Sequence, residues 1–276
     1  MQTPLFHSKG DKISKLILVK LGGSVITDIN KPKTPKLHEI RRLINEIKVA
    51  GKHKKIIIGH GGGSFPHVPA QKYKVSFGFI NSKSAIGTSV TQRSASELHH
   101  IIINEMIKAG LSALSFPPSS GAVANKKRII SWNTKAIVKA LSLNFVPVVY
   151  GDITLDNKQG VCVVSTEEVF RYLATKLKPT KIIIGTDVDG VFSADPQTVK
   201  DAKIITKIGT SDIRKVAFSS INRKYNVTGS MQSKVKLLCE ISKKNSVTCQ
   251  IVNARIPGRI HDAILGKPVI STIIKF

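Results

Sequence analysis

Leu16-Ile17-Leu18-Val19-Lys20-Leu21-Gly22-Gly23-Ser24 and Ile56-Ile57-Ile58-Gly59-His60-Gly61-Gly62-Gly63-Ser64 share one design: an apolar run that breaks into glycine and closes on serine. Runs this short and this rich in Ile, Leu and Val read as strands buried on both faces. Glycine at a strand's carboxyl end lets backbone N–H groups approach an anion closely, and a helix starting there adds partial positive charge. One such loop says little, because tight turns need glycine anyway. Two of them, each straight after a buried strand, point to phosphate handling at one end of a parallel sheet.

Outward from these stretches the chain alternates strand and helix. Thr34-Pro35 reads as the cap and start of a helix with Leu37, Ile40, Leu43, Ile44 and Ile47 on one face and Gly51 as its stop. A long amphipathic helix is expected over Val90–Ala109, and strands over Leu111–Phe116, Val146–Tyr150 and Val161–Val164. Ser165 and Glu168 have the spacing of a capping box that opens a helix through Leu177. Beyond Pro179, Lys181–Ile184 is another buried strand, feeding Gly185-Thr186-Asp187-Val188-Asp189-Gly190-Val191. Thr228-Gly229-Ser230-Met231 opens a further helix, and Val247–Val252 and Val269–Ile273 read as final strands. The class is α/β, with a mostly parallel sheet covered on both faces. Pro179 divides a lobe over 16–178 from one over 179–276, and residues 1–15 read as a polar, frayed extension.

Composition narrows the function. Aromatic residues are 5% of the chain, so the core must be aliphatic. Lys and Arg number 43 against 17 Asp and Glu, a formal net charge of +26 that would draw phosphorylated metabolites, nucleotides or RNA. The lysines are spread along the whole chain with no RNP aromatics or KH-type loop, so a nucleic-acid partner is not expected. Cys162, Cys239 and Cys249 lack CxxC spacing, which argues against a disulfide framework and a zinc site and fits a reducing cytoplasm. No apolar run approaches the roughly 20 residues that span a bilayer, and no membrane partner is expected. Neither GxxxxGK[ST] nor GxGxxG occurs, so a P-loop kinase and a dehydrogenase are both disfavoured.

Lys20-Leu21-Gly22-Gly23-Ser24, His60-Gly61-Gly62-Gly63-Ser64, Thr186-Asp187-Val188-Asp189-Gly190-Val191 and Val227-Thr228-Gly229-Ser230-Met231 with Lys234 follow the order typical of the amino acid kinase superfamily. Within it, Gly22–Asp28 and His60–Phe65 followed by His67 most resemble the archaeal-type isopentenyl phosphate kinases. The resemblance implies a three-layer αβα sandwich, usually a homodimer, that transfers the γ-phosphoryl group of ATP, with Mg²⁺, to isopentenyl phosphate. It places the acceptor in the first lobe and the nucleotide in the second. A phosphate monoester is already nucleophilic near neutral pH, so such a site needs cations and positioning rather than a general base.

On that reading Lys20 and Lys234 supply charge to the transferring and β/γ phosphates, and His67 holds the acceptor phosphate. Gly22, Gly23, Ser24, Gly62 and Gly63 offer backbone donors, while Thr186, Asp187, Asp189 and Gly229 line the nucleotide side. Asp152 either faces the acceptor or ends its strand, and no metal-ligating residue is assigned. Phe77, Phe79 and Ile86 are read as core residues or as walls of an isoprenoid pocket. Four departures from the family's pattern stand out: Ile29 stands for lysine, Pro66 for glycine, Thr166-Glu167-Glu168 for Gly-Asp-Asp, and Ser230 for glycine. Pro66 lacks an N–H, so the aim of His67 and one phosphate donor hang on it. Alternative acceptors are a nucleoside monophosphate, N-acetylglutamate or a phosphonate, and a different class is a non-catalytic nucleotide- or RNA-binding protein.

Overall fold

The computed structural model describes residues 15–194, 196, 198–209 and 231–276. The first elements are β1 (Ile17–Leu21), α1 (Gly23–Ile26), α2 (Leu37–Ala50), β2 (Ile56–His60), α3 (His67–Lys72) and α4 (Lys83–Lys108). Then come β3 (Ala113–Ser115), β4 (Val123–Asn125), β5 (Arg128–Ser131), α5 (Lys135–Ser142), β6 (Val146–Tyr150), β7 (Asp152–Asp156) and β8 (Gly160–Val164). They are followed by α6 (Thr166–Leu177), β9 (Lys181–Thr186), β10 (Val191–Phe192), β11 (Ile204–Ile205) and β12 (Lys207–Ile208). Last are α7 (Met231–Asn245), β13 (Thr248–Asn253), α8 (Arg259–Leu265) and β14 (Ser271–Ile274).

Eight strands form one sheet in the order β12-β14-β13-β9-β1-β2-β6-β3. Its neighbours are parallel except β13 and β14, which run antiparallel. Alternation along the strands sorts side chains into two layers. Leu18, Ile57, Val149 and Ile182 pack with Phe170 and Leu173 of α6 and with Val235 and Leu238 of α7. Ile17, Val19, Ile58 and Ile183 pack the other way, against Ile40 and Leu43 of α2, Leu98 and Ile102 of α4 and Ile260 of α8. The result is the three-layer αβα sandwich, with the aliphatic core that a low aromatic content requires.

Some boundaries differ from the sequence reading. α2 starts at Leu37, not at Thr34-Pro35, because that backbone is already engaged. Pro35 bridges Thr27, the Thr34 carbonyl accepts from Asp28 N–H, and Lys36 N–H donates to Ile26. α4 begins seven residues early, at Lys83, with buried Gly87 where a Cβ would lie 2.4 Å from Tyr73 Cβ. Ser165 caps α6 by accepting from Glu168 N–H at 3.1 Å, but the Glu168 carboxylate turns to Arg171 and to Ile129 N–H instead of closing the box. A second sheet, β5-β4-β7-β8, was legible only in β8. Its strands are short and β7 buries the polar side chains of Asp152, Thr154 and Asp156, which break the apolar pattern of a buried strand.

Candidate active site

β1 lies at the middle of the large sheet, between β9 and β2, so the two glycine tips meet side by side. The approach leaves no room for side chains. A Cβ on Gly23 would stand 2.5 Å from Gly63 N, and one on Gly22 would stand 2.5 Å from Gly185 O. Gly63 itself has φ +53°, with Thr27 Oγ1 2.1 Å from where its Cβ would be. That hydroxyl donates to Gly23 O at 2.8 Å and accepts from Ser64 N–H at 3.0 Å, pinning both tips at once. Gly23 and Ser24 open α1, whose first amides have no partner one turn back.

A cavity of about 500 Å³ opens over these tips. It brings together Lys20, Gly22, Gly23, Ser24, Gly62, Gly63, His67, Asp152, Thr186, Asp187 and Lys234 from distant parts of the chain. Asp189 is not among its lining residues; it pairs with Arg259 and accepts from Asn253 Nδ2 at 3.0 Å. Gly229, with Thr228 and Ser230, lies outside the described residues.

Alternation puts Lys20 on the same face as Leu18, toward α6 and α7. There its ammonium meets the carboxylate of Glu167, Nζ to Oε1 2.6 Å, with both groups buried. β1 is central, so Lys20 lies away from either sheet edge. Burial pushes the Lys20 pKa down, Glu167 pulls it back and Lys234 adds repulsion. For Glu167, burial is outweighed by the attraction of Lys20 and then Lys234, which holds the carboxyl down at about 2. Two cations and one carboxylate therefore converge beneath the glycine tips.

Glu167 was missed as a site residue. The signal was a Glu-Glu pair one residue beyond the capping serine, but only depth could separate the two. Glu168 is spent on Arg171, whereas Glu167 faces the cavity. Thr166 between Ser165 and Glu167 donates to His60 O at 2.6 Å, locking the start of α6 to the tip of β2.

His67 opens α3, and its Nδ1 is buried with no hydrogen-bond partner among the described residues. Burial, then Lys234 and Lys20, lower its pKa to about 4, so the imidazole is neutral at pH 7. Pro66 occupies the N-cap and its carbonyl accepts from Ala70 N–H at 2.9 Å. Proline here starts the helix that carries His67, and Gly62 must be glycine because a Cβ would lie 2.3 Å from Pro66 Cγ. Ile29 lines the cavity mouth, whereas Phe77 and Phe79 are exposed and, like Ile86, outside its lining. Neither a core nor a pocket-wall role fits them.

Asp152 lines the cavity, but its oxygens already accept from Ser119 N–H at 3.0 Å and Ile153 N–H at 2.8 Å. Burial raises its pKa against those bonds. His60 is fully buried in a cluster with His99 and Tyr150, its ring 5.2 Å from each while those two stack at 4.3 Å, with Nε2 3.0 Å from His99 Nδ1 and His99 Nε2 2.7 Å from Ser115 Oγ. Burial drops His60 to about 4 and His99 to about 2. Both rings must therefore be neutral in the fold and prefer protonation once unfolded, so their stabilisation is complete above pH 6.5 and is lost as pH falls toward 4. Thermal melts from pH 7.5 to 4.5 should show a falling Tm; a flat profile would contradict the neutral stack.

The profile of the Amino acid kinase family matches residues 15–253. The chain belongs to the amino acid kinase family. Isopentenyl phosphate kinase of Methanothermobacter thermautotrophicus is 33% identical over 267 residues, covering 94% of this chain and 98% of that protein. The enzyme of the same name from Methanocaldococcus jannaschii is 35% identical over 264 residues, covering 91% and 96%. An X-ray structure of an isopentenyl phosphate kinase superposes with TM-score 0.83 at 30% identity, covering 94% of this chain and all of that one. A carbamate kinase from Giardia lamblia, 15% identical with TM-score 0.68, shares the fold alone. In amino acid kinase family terms, this chain is a phosphotransferase, and among the described residues no helix is long and apolar enough to cross a membrane.

Proposed function

We propose that the protein transfers the γ-phosphoryl group of ATP to isopentenyl phosphate, forming isopentenyl diphosphate. The observation that carries this reading is His67. The residue lines a cavity that also holds Lys20, Lys234 and both glycine tips, and its Nδ1 is buried with no partner among the described residues. A neutral imidazole can donate one N–H to an acceptor phosphate, and a bound dianion would draw its pKa upward. On the same side the cavity is lined by Pro66, Val68, Ala70, Ala95, Ile153 and Val163, apolar surface suited to a short hydrocarbon. Residues 16–178 would hold the acceptor, and Thr186, Asp187 and Lys234 of 179–276 the nucleotide.

Lys20 would sit at the transferring group and Lys234 at the β and γ phosphates, with the amides of Gly22, Gly23, Gly62 and Gly63 meeting non-bridging oxygens. Glu167 orients Lys20 and keeps two neighbouring cations from repelling each other apart. The described residues contain no cluster of three or more His, Cys, Asp or Glu able to cage a metal. Such a donor set suits Mg²⁺ that arrives with the nucleotide; Asp187, on the nucleotide side of the cavity, could help hold the ion, which would neutralise phosphate charge. We assign the active species as a homodimer in a reducing cytoplasm, in keeping with three buried free thiols.

ADP release measured with isopentenyl phosphate, dimethylallyl phosphate, UMP and N-acetylglutamate tests the assignment; turnover confined to UMP or N-acetylglutamate would overturn it. His67→Ala should lower kcat/KM for isopentenyl phosphate by about 10- to 150-fold, the worth of one hydrogen bond to a charged group. The KM for ATP should stay near that of the parent. An unchanged acceptor KM would remove His67 from the phosphate seat.

A further inference from the structure

Between Glu46 and Glu97 the sequence has no acidic residue. In the middle of that stretch, straight after α3, the chain exposes Phe77 (72%), Phe79 (53%), Ile80 (51%) and, at the start of α4, Ile86 (56%). Isolated exposed apolar residues need no explanation, but a run of this kind does. The backbone beneath it is fixed. Phe79 N–H donates to Gln159 O at 2.8 Å, and Ser84 Oγ accepts from both Ile80 N–H and Asn81 N–H. A Cβ on Gly160 would meet Phe79 Cβ at 2.7 Å, so this segment is pressed onto the β7–β8 turn.

That turn is basic. The buried carboxylate of Asp156 accepts the backbone N–H groups of Lys126 (3.1 Å), Lys127 (2.7 Å), Lys158 (2.9 Å) and Gln159 (3.2 Å). One acidic group, spent on four amides, gathers three exposed lysines and joins them through Gln159 to Phe79. Lys126 and Lys127 both have positive φ (50° and 65°), as the two-residue hairpin turn between β4 and β5 requires. On the other flank Lys72, Lys74 and Lys83 are exposed. The aromatic and aliphatic run is thus rimmed by lysines on both sides, with no exposed carboxylate in the segment that bears it.

We propose that this face docks on an anionic lipid surface. Apolar side chains enter the interface while the lysines meet headgroup phosphates, the combination by which proteins lie on a bilayer without crossing it. The expectation of no membrane partner rested on the absence of a spanning run, and lying on a surface needs none. Single-stranded RNA also favours basic, aromatic surfaces, but it gains from stacking, and Ile80 and Ile86 offer nothing to a base. The face is separate from the cavity lining, so the proposal is independent of the acceptor's identity. α3, which carries His67 at its start, leads directly into it.

Flotation of the full-length protein with vesicles of phosphatidylcholine and phosphatidylglycerol, against phosphatidylcholine alone, tests this. Binding is expected only to the mixed vesicles. It should weaken by about tenfold or more in Phe77→Ser/Phe79→Ser and in Lys126→Glu/Lys127→Glu, and remain in Lys48→Glu/Lys52→Glu at the far end of α2. Trp132, the sole tryptophan, is buried, so Phe77→Trp places a second reporter whose emission should shift to the blue on mixed vesicles. Equal binding of the parent and the double Phe variant would reduce the effect to net charge and overturn the proposal. So would absence of binding, an RNA oligonucleotide bound through the same two Phe residues in place of vesicles, or a Phe variant that converts a dimer to a monomer.

Discussion

Lys20→Met should abolish turnover while leaving the fold recognisable. Methionine matches the length of the stem but removes the ammonium from the transferring phosphoryl group, and loss of one such charge typically lowers kcat by about 10²- to 10³-fold. It also strands the Glu167 carboxylate, now buried without its 2.6 Å partner. Breaking a buried pair from one side destabilises by roughly 3–5 kcal/mol. The two effects separate in Lys20→Met/Glu167→Gln: an uncharged amide at 167 should recover much of the lost stability and none of the activity. Denaturant midpoints and ADP release report the two quantities independently. If Lys20→Met retained parental kcat, phosphoryl transfer at this cavity would be excluded.

Gly23→Ala should be nearly as damaging from a single methyl group. Its Cβ would lie 2.5 Å from Gly63 N and 2.7 Å from Gly63 Cα, backbone atoms that cannot swing aside as a flexible side chain would. The tips must then separate. Overpacking of this sort destabilises by about 1–3 kcal/mol, and a shift near 1 Å at reacting groups lowers turnover by roughly 100-fold. Activity should therefore fall far more than Tm. A variant with parental kinetics would show that the contact between the tips is dispensable.

The sheet was legible because its strands are uninterrupted Ile, Leu and Val, and the glycine tips were legible because nothing else breaks such runs so abruptly. Lys20, Lys234 and His67 carried no such signal of their own. Among 43 basic residues, two lysines stand out only by their place beside the glycine motifs. Glu167 was hidden for the opposite reason: a helix N-terminus favours acidic residues anyway, and only the fold reveals that its partner lies 147 positions earlier. Thr27 was equally silent, because its hydroxyl acts on backbone atoms far apart in sequence. β7 escaped because its inward-facing groups are polar and satisfied by backbone amides. Pro66 looked like damage to a phosphate loop and serves instead as the foundation of α3.

The Thr27 hydroxyl has a consequence for how this architecture can diversify. Because one oxygen holds Gly23 and Ser64 together, neither tip can grow or shrink by a residue without releasing the other. Insertions and deletions among related chains should therefore gather at outlying turns such as Gly51–Lys54 and 126–127, while the spacing from Lys20 to Thr27 and from His60 to Ser64 stays constant. New acceptors would have to arise by exchanging side chains around a seat of fixed dimensions.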